Sequence, residues 1–381
     1  MNLYNNWSYP TNIKFGAGRI NELAEACATA GIKRPLLVTD KGLADLPVTQ
    51  STLDILEAAG LGRNVFSQVD PNPNEINLSD GVKAYNDGNH DGVIAFGGGS
   101  GLDLGKMVAF MSGQTRPVWD YEDVGDWWTR ADVDAIAPII AVPTTAGTGS
   151  EVGRASVITN SQTHAKKIIF HPKVLPAVVI CDPELTVGMP RFITAGTGLD
   201  AFAHCVEAFS SPNYHPMSQG MALEGMRLVK TYLPRAYEDG TDIEARAHMM
   251  SAAIMGATAF QKGLGAIHAM SHPIGAHYNT HHGTTNAVCM PAVLQFNAAA
   301  ITGRFDEAAA YLGIEGGFAG FCAFVQDFND RFEIPHGLSS LGVKEEMIPQ
   351  LAADAILDPS CGGNPIELTK ENLKVLFHSA S

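Results

Sequence analysis

Residues Gly92 to Lys106, GVIAFGGGSGLDLGK, run from five apolar residues through a cluster of glycines into a segment with helical spacing. The apolar run has the length of a strand covered on both faces, as in a parallel sheet. Glycines between a strand and a helix let backbone amides approach phosphate oxygens. The first turn of the helix adds unsatisfied N–H groups and the positive end of its dipole. The stretch therefore predicts a βα unit with a pyrophosphate cradle at Gly97, Gly98, Gly99 and Ser100. A tight βα connection that binds nothing explains the glycines equally well on these residues alone. A nominal G-x-G-x-x-G lies in the run, but it follows the third predicted strand and not the first, so the ordinary Rossmann fingerprint describes it poorly.

Outward from this unit, Pro35 to Asp40, PLLVTD, reads as a first strand, with helical stretches over Arg19 to Ala30 and Thr52 to Ala59 around it. Asn64 to Val69 reads as a second strand and Asn77 to Asn86 as a helix. Pro138 to Val142 reads as a fourth strand and Val178 to Cys181 as another. Strands alternating with helices imply a parallel sheet. Beyond Thr186 the strand signals vanish, and long helical patterns rich in Ala, Met and Leu take over. The predicted fold is an α/β Rossmann-like parallel-sheet domain over residues 1–188, followed by an all-α domain over 189–381. Trp127 and Trp128 are expected in the core of the first domain.

Asp40 closes the first strand. A carboxylate there can accept hydrogen bonds from a ribose diol and would repel a 2′-phosphate by ~1 kcal/mol or more, which favours NAD over NADP. Strand-ending aspartates also cap turns and helices. After the fourth strand, Pro143 to Glu151, PTTAGTGSE, offers hydroxyls and amides with little bulk, suited to ribose and phosphate oxygens; its alternative is a Ser/Thr-rich surface turn.

At 381 residues, 45% hydrophobic and 17% charged, the chain is long enough for two domains with a core in each. Its 25 basic and 40 acidic side chains leave a net charge of −15, which opposes binding to nucleic acid or an anionic membrane. No apolar run of about 18 residues occurs, and the N-terminus lacks a basic start and apolar stretch, so a cytoplasmic location is expected. Six cysteines without a CxxC pair fit a reducing compartment.

The chemistry gathers in the second half. Gly265 to Gly283, GAIHAMSHPIGAHYNTHHG, holds five of the thirteen histidines in nineteen residues. His268 and His272 share one helical face. Pro273, Gly275 and Asn279 predict a break, after which a turn or helix returns His282. Upstream, GLDAFAHCVEAF places Asp200 and His204 four apart on an amphipathic helical pattern. One carboxylate and two or three imidazoles from two helices can close around a divalent ion. Taken singly, each pair is more often a surface pair or a satisfied core histidine, and His277 and His281 read as solvated loop residues. Cys205 reads as a small buried hydrophobe and not as a thiolate ligand.

Asp200-x3-His204 combined with His268-x3-His272-x9-His282-Gly283 resembles the iron-containing (group III) alcohol dehydrogenases. The resemblance runs from Phe15-Gly16-Ala17-Gly18 through Asp182-Pro183-Glu184-Leu185 to Asn364-Pro365. It implies a dehydroquinate-synthase-like fold, metal ligands at Asp200, His204, His268 and His282, and His272 beside the nicotinamide but not bonded to the metal. It also implies a phosphate loop, GGGSxxDxxK, with Asp103 in register. Thr144, Thr145, Thr148 and Lys166 are implied at the NAD site, Lys166 being chosen over Lys167 by counting back six residues from Pro172. Nitrogen and oxygen ligands suit Fe²⁺ or Zn²⁺, and the resemblance favours Fe²⁺.

The expected activity is metal-dependent hydride transfer between NAD(H) and a small alcohol or aldehyde, with His272 either moving a proton or serving as a hydrogen-bond donor behind the metal. Two alternatives are a dehydroquinate-synthase-like NAD- and zinc-dependent lyase, which would call for more basic residues in the second half, and a noncatalytic NAD or metal sensor. Leu3, Tyr4, Trp7 and Tyr9 predict an ordered N-terminal arm, packed on its own domain or on a second subunit. With the family's dimers this points to a homodimer or a higher homo-oligomer.

Overall fold

The computed structural model describes the backbone of residues 5–7, and residues 11–163 and 165–381. In the first half, β1 (Asn5–Trp7), β2 (Asn12–Phe15), α1 (Leu23–Ala30), β3 (Pro35–Val38), α2 (Pro47–Ala58) and β4 (Val65–Phe66) lead to α3 (Glu75–Asp87). Then come β5 (Gly92–Gly97), α4 (Gly99–Met111), β6 (Ile139–Pro143), the hairpin β7 (Ala155–Asn160) and β8 (Ala165–Phe170), and β9 (Val178–Cys181). The main sheet has the order β1-β2-β9-β6-β5-β3-β4. It is parallel from β2 to β4, with β1 antiparallel at the edge.

Every residue of β3, β5, β6 and β9 is buried, which is why these strands read as unbroken apolar runs. Leu23 and Cys27 of α1 and Leu53 and Leu56 of α2 close over Leu37, Ile94, Ile140 and Ile180 of the sheet. Helix α4 lies directly on β5. A Cβ at Gly105 would fall 2.6 Å from Ala95 Cβ and 2.9 Å from Ala95 Cα, so only glycine lets the helix come so near. That approach fixes the start of α4 at the end of β5.

In this half two expectations change, those for the second strand and for the tryptophans. The second strand shrinks from Asn64–Val69 to Val65–Phe66. The β7–β8 hairpin is a pair of mostly half-buried strands, too polar to stand out by apolar content. Trp127 and Trp128 are half-buried in a 3₁₀ turn and not in the core: Trp128 meets Phe170 and His171 edge-on, and Trp127 lies under the Arg130 guanidinium, 4.1 Å from its centre. Of the expected arm, Leu3, Tyr4 and Tyr9 lie outside the described residues, while the backbone of Asn5–Trp7 pairs with β2 of its own chain.

The second half is helical: α5 (Arg191–Ser210), α6 (Pro216–Glu238), α7 (Ile243–Ala259), α8 (Ala266–Tyr278), α9 (His282–Leu312), α10 (Gly317–Arg331), α11 (Ile348–Ala355) and α12 (Lys370–Ser379). Helix α5 is not amphipathic as its pattern suggested. From Gly198 to Ser210 every residue is buried, because α6, α7 and α9 all pack on it. Helix α8 runs on through Pro273 and Gly275, both buried, and ends only at Asn279, which takes the left-handed conformation with φ 52°. Tertiary burial overrides the local breakers there.

The chain forms two compact units, residues 1–145 with 149–188, and residues 146–148 with 189–381. Among the described residues no single helix is long and apolar enough to cross a membrane. All six cysteines are free.

Candidate active site

In the helical unit, α5 carries Asp200 and His204 one turn apart, α8 carries His268 in its first turn, and α9 opens on His282. Asp200, His204 and His268 are buried, with ligand atoms all within 4.8 Å of one another. Asp200 Oδ1 lies 3.7 Å from His204 Nε2, 3.8 Å from His268 Nε2 and 3.5 Å from His282 Nε2. The side chain of His282 is 28% exposed against 2–5% for the other three, so the cluster opens on its side. Its neighbour Gly283 permits the closeness: a Cβ there would fall 2.0 Å from the Gly196 carbonyl and 2.9 Å from Asp200 Cβ. Glycine at this point lets α9 touch α5 beside the carboxylate.

The donor set fits a divalent ion. Two ligands about 2.1 Å from a tetrahedral ion lie about 3.4 Å apart, close to the separations found here, whereas most of them are too long for direct hydrogen bonds. Burial alone would push the Asp200 carboxyl up, but the charge of His204, His282 and His268 holds it far below the usual carboxylate range. Burial lowers His204 to about 4, against the opposing pull of Asp200. Burial also acts to lower His268, yet Glu207 and Asp200 raise it to about 9. A divalent cation held by Asp200 and the three histidines would take the place of the His268 proton. Cys205 stands apart: burial pushes its thiol up to about 12, and it packs where a Cβ on Gly225 would touch its sulfur.

Three residues that the sequence reading did not single out complete the site. Glu207 Oε2 is 2.6 Å from His268 Nδ1, and Glu207 Oε1 accepts from the Ile267 N–H at 2.6 Å. The Asn286 amide donates to Asp200 Oδ1 at 2.8 Å and lies 3.2 Å from both His268 Nε2 and His282 Nε2. Asp358 Oδ2 accepts from His272 Nδ1 at 2.7 Å. Burial would raise the Asp358 carboxyl, but His272 and the Ser360 donors hold it at about 2. The rings of His272 and His282 stack at 5.3 Å and 17°. Glu207 and Asn286 had a legible signal, lying one helical turn after His204 and His282. Asp358, 86 residues from its partner, had none.

In the α/β unit, α4 starts at Gly99, with Gly98 as its cap residue and no capping side chain. Gly97, Gly98 and Gly99 form the junction from β5. The Thr144 N–H donates to the Gly97 carbonyl at 2.9 Å, and a Cβ on Gly98 would sit 3.2 Å from Thr145 Cγ2, so the two loops are neighbours. Asp40 is beside them: a Cβ on Gly97 would lie 3.5 Å from its Oδ2, while its Oδ1 accepts from Gly42 N and Leu43 N at 2.8 and 3.0 Å. Ser100 Oγ donates to the Pro71 carbonyl at 2.5 Å.

Asp103 is engaged within the protein. It accepts from Ser150 Oγ and, at 2.9 Å, from Val157 N. Fully buried Lys106 donates to the Ser150 and Ala155 carbonyls. Together they anchor the Thr-rich loop and β7 to α4. Lys167 pairs with Glu122 at 2.8 Å, and Lys166 falls on the other face of β8. Thr148 is half-buried and counts with the helical unit.

Residues 10–183 match the family described as iron-containing alcohol dehydrogenase, and residues 194–381 match the Fe-containing alcohol dehydrogenase family, C-terminal. A 4-hydroxybutyrate dehydrogenase of Cupriavidus necator is 41% identical, over 98% of this chain and 98% of that one. An NAD-dependent methanol dehydrogenase of Bacillus methanolicus is 34% identical over 98% of this chain and 99% of its own. The crystal structure of a 1,3-propanediol oxidoreductase superposes with a TM-score of 0.92 at 33% identity, covering 100% of both chains.

Proposed function

Because the chain belongs to the iron-containing alcohol dehydrogenase family, and so is an oxidoreductase acting on alcohols with NAD and iron as its cofactors, we propose that it interconverts a small primary alcohol and its aldehyde through Asp200, His204, His268 and His282 as iron ligands. The observation that carries this reading is the buried Asp200 oxygen faced by three ring nitrogens at 3.5–3.8 Å. Bound there, iron supplies Lewis-acid polarisation of the substrate oxygen, and NAD is the hydride acceptor.

The chain's own groups do the rest. Asn286 holds Asp200 in place. His272, with Nδ1 committed to Asp358, keeps Nε2 to take a proton during alcohol oxidation and return it during aldehyde reduction. Gly97, Gly98, Gly99 and Ser100 receive the pyrophosphate of NAD on backbone amides, with Thr144, Thr145, Thr148 and Lys166 supporting the cofactor. Asp40 takes the adenosine ribose hydroxyls. Asp103 serves the cofactor indirectly, by holding the second loop. Residues 1–188 thus form the nucleotide half and 189–381 the metal half.

Substrates with a terminal hydroxyl and an acid group head the test, given the 4-hydroxybutyrate relative. Protein reconstituted with iron is assayed for NADH formation with primary alcohols, diols and ω-hydroxy acids, alongside elemental analysis. Stoichiometric iron with no turnover of any of them would sink the proposal. We also propose a homodimer in the cytoplasm, supported by the four large apolar side chains among residues 1–10 and by the free cysteines. A monomer mass by light scattering, unchanged on deleting residues 1–10, would remove the dimer.

A further inference from the structure

We infer that Glu207 is a positioning residue for the metal centre, fixing the His268 ring in the tautomer and orientation that make Nε2 a ligand. This rests on the metal reading proposed above. Glu207 is buried, and each of its carboxylate oxygens faces one N–H: Oε1 meets Ile267 N and Oε2 meets His268 Nδ1, both at 2.6 Å. A carboxylate only accepts, so Nδ1 carries the ring proton. On the other side of the ring, the Asn286 Nδ2, which can only donate, stands 3.2 Å from Nε2. With the ring neutral, as a metal ligand must be, both neighbours specify the same tautomer, with the Nε2 lone pair turned into the cluster. Hydrogen-bonded carboxylates behind metal-bound histidines act in this way, setting the tautomer and aim of the ring.

The same carboxylate also sets where α8 begins. Ile267 lies in the first helical turn, where N–H groups lack partners within the helix, and an anion is favoured there. A Cβ on Gly265 would fall 3.1 Å from Glu207 Oε1, so glycine lets this turn close down on it. One face of α5 thus holds two ligands, Asp200 and His204, and, three residues further on, the group that aims a third from α8.

Glu207→Gln keeps the shape but turns an N–H₂ toward either His268 Nδ1 or Ile267 N, so one donor must face another. The test titrates Co²⁺ into metal-free wild type, E207Q and H268A, reading the visible cobalt spectrum and the Kd against a competing chelator, with thermal unfolding of each metal-free form. We expect wild type to bind one equivalent, H268A to lose the site, and E207Q to bind about 10- to 100-fold more weakly with an altered spectrum. Wild-type affinity and spectrum in E207Q, while H268A fails, overturn the role of Glu207 alone, even if the unfolding midpoint drops. No binding by wild type, or wild-type binding by H268A, overturns the metal reading itself. Should metal-free E207Q not fold, ¹⁵N NMR of zinc-loaded, histidine-labelled wild type decides: a proton on His268 Nδ1 supports the assignment, and metal on Nδ1 overturns it.

Discussion

In the α/β unit, the groups available to a ligand at the start of α4 are backbone amides and the threonine hydroxyls nearby. The charged side chains beneath them, Asp103, Lys106 and Glu151, are buried, and Asp103 and Lys106 are bonded to the loops. In the helical unit the arrangement is reversed. Side chains from α5, α8 and α9 converge on one point, and further side chains, Glu207, Asn286 and Asp358, hold them. A phosphate can be held by backbone shape with charge kept at a distance, whereas a cation needs lone pairs aimed at one point. The two halves should therefore fail differently when changed.

The largest effect is expected for His268→Ala. It removes a ligand and leaves the Glu207 carboxylate buried without its partner, so bound metal and at least about 10³-fold of the activity should be lost. NAD affinity, measured by fluorescence titration, should stay within about 2-fold. A parallel loss of NAD binding would break the comparison, and retained metal with full turnover would remove His268 from the site. His272→Ala should instead keep the metal and lower kcat about 10²-fold. If its metal content falls to that of His268→Ala, His272 is a ligand.

Gly283→Ala probes geometry without replacing a ligand. The new methyl cannot coexist with the Gly196 carbonyl 2.0 Å away, so α9 must move off α5 and carry His282 with it. A stability loss of about 3 kcal/mol is expected by chemical denaturation, together with weaker metal binding. Unchanged metal affinity would mean that His282 does not need this contact.

Glu151 tests the buried charge of the other half. Burial pushes its carboxyl up to about 7, against the smaller pull of its own backbone N–H and of Lys106. Below the ordinary carboxylate value of about 4.5, folded and unfolded chains both hold the proton and burial costs nothing. As pH rises the unfolded chain ionises first. The folded state therefore loses stability up to about pH 7, by roughly 3 kcal/mol, and no further above it. Glu151→Gln carries no such dependence, so its stability relative to wild type should climb between pH 5 and 7 and then level off. A constant difference across that window would show that Glu151 does not titrate there.

The contrast between the halves also explains what was legible in the chain. Helical periodicity put Asp200 with His204, and His268 with His272, on shared faces, whereas the choice of His282 over His272 as a ligand came only from the resemblance to the iron-containing alcohol dehydrogenases. The strands β3, β5, β6 and β9 were legible because burial on both sides demands unbroken apolar runs. The bonds of Asp103 to Ser150 and Val157 were not legible, since an acid in a glycine-rich stretch looks the same whatever it meets. Pro273 and Gly275 were misread as breakers because nothing local reports how completely α8 is buried. Asp358 reaches His272 from a distant part of the chain, and no periodicity connects them.

The smallest expected effect belongs to Asp40→Gly, and it bears on whether the α/β unit uses any charged side chain for its ligand. Asp40 Oδ1 is already occupied by the N–H groups of Gly42 and Leu43, which makes the residue a turn cap. Its Oδ2 lies on the side of Gly97, where the cradle begins. If that second oxygen receives the ribose hydroxyls, removing the carboxylate deletes a hydrogen bond to NAD and the repulsion of a 2′-phosphate together, a change of about 1–2 kcal/mol in relative preference. The ratio of kcat/KM with NADP to that with NAD should then rise about 10-fold, while metal content stays unchanged. If the ratio does not move and only the unfolding midpoint falls, Asp40 is a cap alone, and every ligand contact of this half rests on uncharged groups and Lys166.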